Sequence, residues 1–254
     1  MKFLATLLLA LAMLVPFYLL SGGTFYLQEG LLQELSFGQG APLGNYITHL
    51  FTHVGLVHFA GNFVPLVLFG VLLETGVGFV HVLAIFLFSG LLSSVLFAFL
   101  NPAVVLVGAS TGVSGIMAAA TAISPKKALA LLIATPLLLL MVNPLMGLYN
   151  SAQVDRLAEQ KAGLEEKVQV LLSENKIQEA LEQNDSLVKV SAVLEQTKGG
   201  IQREKEIPTD VLVHLFGALF GAVYVFVFRR DKLREGAVEF EEIGDFLYSK
   251  LKRE

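Results

Sequence analysis

No cysteine occurs among the 254 residues. That excludes disulfides, thiolate metal sites and cysteine nucleophiles, and removes cysteine usage as a marker of redox compartment. Charge is also scarce. Asp, Glu, Lys and Arg make up 16% of the chain, against about 25% in an ordinary soluble domain. The net charge of −4 leaves no basic footprint for nucleic acid. What the chain has instead is apolar surface: 54% hydrophobic residues and a mean hydropathy of +0.66. These values predict an all-α protein that crosses a lipid bilayer several times.

Six hydrophobic runs carry that expectation, at 3–20, 54–74, 79–100, 104–123, 127–148 and 209–228. Each is near the roughly 20 residues an α-helix needs to cross about 30 Å of hydrocarbon. A helix satisfies its own backbone there, and Pro65, Pro136 and Pro144 bend or end such helices without forbidding them. The first run, after Lys2, resembles a signal peptide or a first span. Its length and the absence of a clear A-x-A before Ser21-Gly22-Gly23 favour a retained span. Residues 21–48 are too amphipathic to cross and read as an interfacial loop with short helices.

Basic residues lie at Lys2, at Lys126-Lys127 and from Arg229 to Arg234. With six spans all three positions fall on one side, and the positive-inside rule makes that side cytoplasmic. A cell-membrane protein with both termini cytoplasmic is expected. Residues 149–208 break the pattern. Charges run throughout, with Leu157, Leu164, Val168 and Leu171 at three- and four-residue steps. This is a soluble helical or coiled-coil insertion on the outer side. Its heptad-like stretch is expected to end at Lys198-Gly199-Gly200, and Ile207-Pro208-Thr209-Asp210 to cap the last span. It reads equally as a solvated spacer or as a module that binds substrate or a partner protein. The domain plan is thus a core of five spans over 1–148, the insertion over 149–208, the sixth span over 209–228, and a cytoplasmic amphipathic tail over 229–254.

The stretch Gly108-Ala109-Ser110-Thr111-Gly112-Val113-Ser114-Gly115 opens the fourth run with small residues. By itself it fits a tight helix-packing seam. The other intramembrane polar groups give it a second meaning. His58 and Asn62 lie near the start of the second span, Ser110 near the start of the fourth, and His214 near the start of the sixth. These three spans run in the same direction, so the four groups share one depth in the outer half of the bilayer. Polar groups at that depth point to function.

Serine and histidine with no carboxylate or thiol beside them allow a Ser–His dyad, with His214 taking the proton of Ser110 as it attacks a carbonyl. His58 and Asn62, four apart on one face, can donate toward a developing oxyanion. The Ser110 backbone N–H, near a helix start, is a third donor. His49 and His53 are expected to be structural, and His81 interfacial. The His49, His53, His58 spacing, without a carboxylate, supports no metal site. No cofactor is implied.

Several motifs in order resemble the rhomboid intramembrane serine proteases. His49-Leu-Phe-Thr-His53-Val-Gly-Leu-Val-His58-Phe-Ala-Gly-Asn62 is similar to the family's second-helix signature, with Glu74 where the family often has a glutamate ending that helix. Gly108-Ala109-Ser110 resembles the Gly-x-Ser of the nucleophile helix. His214-Leu-Phe-Gly217-Ala-Leu-Phe-Gly221 resembles the His-x-x-Gly-x-x-x-Gly of the last helix. The resemblance covers roughly 1–148 and 209–228. It implies a rhomboid-like six-helix bundle, Gly217 and Gly221 as packing positions against the serine helix, and hydrolysis of transmembrane protein substrates in the bilayer. A catalytically inactive rhomboid-like protein that binds membrane clients is the competing class.

The sequence departs from the family pattern in three places. Thr111 follows the serine where the usual motif has glycine. Gly112-Val113-Ser114-Gly115 is itself a Gly-x-Ser-Gly, so Ser114 rivals Ser110 as nucleophile. The third departure is the insertion itself.

Overall fold

The computed structural model describes residues 3–206 and 211–252, and all its regular elements are helices. In chain order these are α1 (Leu4–Leu20), α2 (Glu29–Leu35), α3 (Asn45–Thr48), α4 (Leu56–Val77), α5 (Phe79–Leu100), α6 (Ser110–Ile123), α7 (Pro125–Ser173), α8 (Ile177–Glu206), α9 (Val211–Phe228) and α10 (Arg230–Leu251). Lys2 and the expected cap Ile207-Pro208-Thr209-Asp210 lie outside the described residues.

Four of these helices, α4, α5, α7 and α9, are long and apolar enough to cross a membrane. Helices α1 and α6 are also apolar but shorter, at 17 and 14 residues. Helix α6 stands in the middle of the bundle and packs against α4, α5, α7, α9 and α10. Val113, Ile116, Ala119 and Ala120 of α6 join Leu66, Phe69, Ile85, Phe86, Tyr224 and Val225 in one buried core.

The fourth hydrophobic run does not become helix along its whole length. Residues 104–109 stay extended or bent, Phe37 and Leu106 form an isolated antiparallel bridge, and helix begins only at Ser110. The chain here follows Pro102, carries three β-branched valines, and turns at Gly108 with φ +107°, all of which oppose a helix. The first residue of α6 is therefore the serine.

The fifth run, in contrast, does not stop at 148. Helix α7 runs unbroken for 49 residues, from Pro125 in its first turn, through Pro136 and Pro144, to Ser173. Each internal proline removes one hydrogen bond yet keeps a helical φ. Beyond 148 nothing in the sequence stops a helix until Asn175. That residue adopts φ +61°, with Lys176 N–H bonded to Leu171 O and Asn175 N–H to Leu172 O, the paired bonds of a left-handed helix terminus.

Helix α8 folds back along α7. It also outruns the expected end at Lys198-Gly199-Gly200 and continues to Glu206. Gly200 serves packing there, since a Cβ at that position would strike the Tyr26 ring.

Two links tie the ends of the bundle together. The Glu74 carboxylate, at the end of α4, accepts from the N–H groups of Ala5 and Thr6 (both 2.9 Å) and from the Thr6 hydroxyl (2.8 Å). It thereby satisfies donors that the first turn of α1 leaves open. At the same end α10 lies against α6, with Gly236 on the Ala122 carbonyl. Lys126 meets the Glu239 and Glu242 carboxylates of α10. The exposed Phe240, Phe246 and Leu247 give α10 an apolar side.

Candidate active site

A cavity of about 440 Å³ opens between α4, α6, α7 and α9. His58 and Asn62 from α4, Ser110 and Ser114 from α6, and His214 from α9 all line it. Each reaches it for a local reason. His58 is the third residue of α4 and Asn62 lies one turn on, so the two share a face. The Asn62 side-chain amide donates to the His58 carbonyl at 2.9 Å. Ser110 starts α6, where backbone N–H groups have no partner within the helix. Ser114 lies one turn deeper on the same face.

His214 depends on how closely α9 approaches α6. A Cβ at Gly217 would strike the Thr111 carbonyl and meet Ser114 Cβ at 3.1 Å. One at Gly221 would lie 2.6 Å from the Gly115 Cα. In turn, Gly115 has the Ser89 side chain and the Gly217 carbonyl where its own Cβ would be. Three glycines thus let two backbones touch, and that contact carries His214 to the cavity wall.

Gly108 has a matching constraint, because a Cβ there would lie 2.6 Å from His58 Nε2. Thr111 is buried and is not part of the cavity wall, and its hydroxyl has no hydrogen-bond partner among the described residues. The threonine that departs from the usual pattern therefore points into packing and away from the cavity.

The remaining histidines hold the frame. His49 is buried, with Nδ1 2.6 Å from the Asn45 carbonyl and Nε2 2.9 Å from the Ser94 hydroxyl. Burial lowers its pKa to about 4, so the ring is neutral at ordinary pH. Its own carbonyl accepts from Gly108 N–H at 2.8 Å, anchoring the turn before Ser110. His53 is fully buried with its Nε2 3.5 Å from the Ala109 N–H, and it meets the His58 ring edge-on at 5.2 Å between centroids. Burial, and then the neighbouring His58, hold the His53 pKa well below the usual range. His81 lies 3.0 Å from the Tyr224 hydroxyl at the opposite end of the bundle. No cluster of three or more His, Asp or Glu that could hold a metal occurs among the described residues.

Two contributors were not expected. Thr135 and Pro136 of α7 close one side of the cavity. The end of α8 reaches the helix that carries His58: the Glu204 carboxylate accepts from the His58 backbone N–H at 2.6 Å. Nothing local in the sequence marks Glu204 among the charges of 149–208.

A family model described as the rhomboid domain matches residues 42–159. The RHOMBOID-like protein 6, mitochondrial, of Arabidopsis thaliana is 35% identical over 81 residues, 32% of this chain and 26% of that protein. The chain thus spans about a quarter of that relative's length. No solved structure matches. The family match contains His58, Asn62, Ser110 and Ser114, while His214 lies beyond it.

Proposed function

We propose that this chain, a rhomboid-family protein by the domain it carries over residues 42–159, is an intramembrane serine endopeptidase that cleaves transmembrane protein substrates by a Ser–His dyad. The observation that carries the reading is one cavity lined by Ser110, His214, His58 and Asn62, groups from three helices that have no packing reason to meet in apolar surroundings.

In the reaction His214 removes the Ser110 proton as the hydroxyl oxygen attacks the scissile carbonyl. The negative charge that forms on the carbonyl oxygen is met by donors from His58, Asn62 and the Ser110 backbone N–H. His214 then protonates the leaving amine. Water, activated by the same histidine, hydrolyses the acyl-serine and restores the enzyme.

Ser110 is preferred to Ser114 because it stands at the helix start, where unsatisfied N–H groups and the positive end of the helix dipole favour an oxyanion. Helices α1, α4, α5, α6, α9 and the apolar part of α7 are read as six crossings of a cell membrane. The end of the bundle that carries Lys126, Lys127 and Arg229–Arg234 is assigned to the cytoplasm and the cavity to the outer half. The insertion then stands on the outer side, next to the place where a substrate segment enters.

The test is fluorophosphonate labelling of the purified protein, together with cleavage of a model transmembrane substrate. The wild type is expected to label and cleave. Ser110→Ala and His214→Ala should lose both activities, and His58→Ala or Asn62→Ala should slow cleavage by about 10²-fold or more. Labelling that survives Ser110→Ala but vanishes in Ser114→Ala would transfer the role to Ser114. No labelling in any form would replace this reading with that of an inactive protein that binds membrane clients.

A further inference from the structure

The first turn of α4 has no cap of its own. Gly55 precedes it and offers no side chain, yet this is the turn that carries His58. The missing acceptor comes from 146 residues away. The Glu204 carboxylate accepts from the His58 N–H at 2.6 Å and from the Val57 N–H beside it. A Cβ at Gly55 would lie 2.8 Å from the Glu204 carboxyl carbon, so the glycine is the space the carboxylate occupies.

Glu204 is itself held in place. The Tyr26 hydroxyl turns toward it and accepts from the Asn150 side-chain amide of α7 at 2.6 Å. Gln196 of α8 donates to the Tyr26 carbonyl (2.8 Å) and the Thr24 hydroxyl (3.2 Å), and Arg203 donates to the Leu27 carbonyl (3.0 Å). The base of the insertion therefore docks on the loop before α4 by several bonds, and Glu204 carries the contact on to the helix of the cavity.

We propose that Glu204 is a positioning residue for the Ser–His site: the insertion lends a carboxylate cap to α4, and that cap fixes the turn from which His58 and Asn62 face the oxyanion. The inference rests on the reading of the cavity as a protease site. A carboxylate at a helix N-terminus is favoured by both the open N–H groups and the helix dipole, and its bond to an N–H is charge-assisted.

Burial raises the Glu204 pKa above the ordinary glutamate range, opposed by the N–H groups of His58 and Val57 and by the Tyr26 hydroxyl. The charged or titratable groups around it are Tyr26 from the loop, Tyr149 behind it on α7, His58 on α4, and Arg203 and Lys205 on its own helix, with Glu29 near Arg203. As pH falls through that raised range, the carboxylate gains a proton and the charge-assisted cap becomes a weaker neutral one.

The experiment uses the full chain in detergent and in vesicles, comparing wild type, Glu204→Ala, Glu204→Gln and Gln196→Ala. Two measurements are made: hydrogen–deuterium exchange of the peptide covering 55–63, and the rate of Ser110 labelling by a fluorophosphonate across pH. In Glu204→Ala the amides of Val57 and His58 should exchange faster and labelling should slow by roughly tenfold, the effect of one charge-assisted bond. Glu204→Gln should keep part of the rate, and its rate relative to wild type should approach one as pH falls through that raised range.

Unchanged exchange in Glu204→Ala overturns the cap. Faster exchange with an unchanged labelling rate overturns the positioning role, as does Gln196→Ala slowing labelling as much as Glu204→Ala. A wild type that never labels overturns the protease reading and the positioning role together, and is recognised by failing before any variant is made.

Discussion

His49 shows how much of the site is held by residues that never touch it. Both ring nitrogens are engaged, one by the Asn45 carbonyl and one by the Ser94 hydroxyl, while its own carbonyl fixes Gly108, two residues before the serine. Burial opposes the charged ring and outweighs the Asn45 and Tyr46 backbone carbonyls, which favour it, so the pKa falls to about 4. The unfolded chain would take up that proton near pH 6.5. Stability from this group is thus complete above pH 6.5, is lost as pH falls toward 4 at about 1.4 kcal/mol per unit, and changes no further below. His49→Gln removes the titration. The variant is expected to be less stable than wild type at pH 7.5, with the gap narrowing steadily as the pH of thermal unfolding is lowered from 6.5 to 4.5. A gap that stays constant or widens over that range would contradict the assignment. The residues His49, His58, Asn62, Ser110 and His214 were legible in the sequence because each is a polar group inside or beside an apolar run, where it stands out. Glu204 and Tyr26 were not, because their meeting depends on a hairpin folding back across well over a hundred residues, and in a segment full of charge one more glutamate carries no signal.

Among the elements, the pair α6 and α9 carries the geometry. Their contact is made by backbone, with the carbonyls of Thr111 and Gly115 standing where side chains of Gly217 and Gly221 would be. Gly221→Ala therefore cannot be absorbed by a rotamer change: the added carbon would lie 2.6 Å from the Gly115 Cα, and α9 must move away as a body. Overpacking of this kind costs about 1–3 kcal/mol. Because His214 is on the helix that moves, the rate of Ser110 labelling should fall with the thermal midpoint. Gly147→Ala is the matched control, since nothing lies within 4 Å of a Cβ built there; it should leave labelling intact and stabilise α7 by up to ~1 kcal/mol. Equal behaviour of the two variants would dismiss the close contact as the source of the alignment. The spacing of these glycines on one face was readable from the chain. The late start of α6 was not, because the apolar run 104–123 shows no polarity change at its boundary. What delays the helix there is local: a preceding proline, three valines and a glycine of positive φ.

For the whole molecule the decisive element is α7, which belongs to the bundle and to the insertion at once. Its 49 residues span roughly 74 Å at 1.5 Å each, against about 30 Å of hydrocarbon. If its apolar part crosses the bilayer as proposed, some 40 Å of it stands clear as one arm of a hairpin, with α8 as the other. Leu157, Val168 and Leu171 of α7 and Ala180, Leu194 and Thr197 of α8 are the buried residues of the seam between the arms. On the proposed membrane reading the boundary at 148 that composition marks is a change of solvent, and the backbone crosses it without a break. Among the described residues, the hairpin meets the rest of the chain through its base, at Asn150, Gln196, Gly200, Arg203 and Glu204. Base and tip should then separate by experiment. Replacing 162–188 with a short Gly-Ser turn removes the tip and keeps every one of those contacts. Labelling of Ser110 is expected to stay within about twofold of wild type, since surface changes remote from buried features usually cost under ~0.5 kcal/mol. Cleavage of a full-length transmembrane substrate that needs the tip for capture should fall through KM alone. If the truncation lowers labelling as Glu204→Ala does, the arms act on the site as one rigid lever and not through the base.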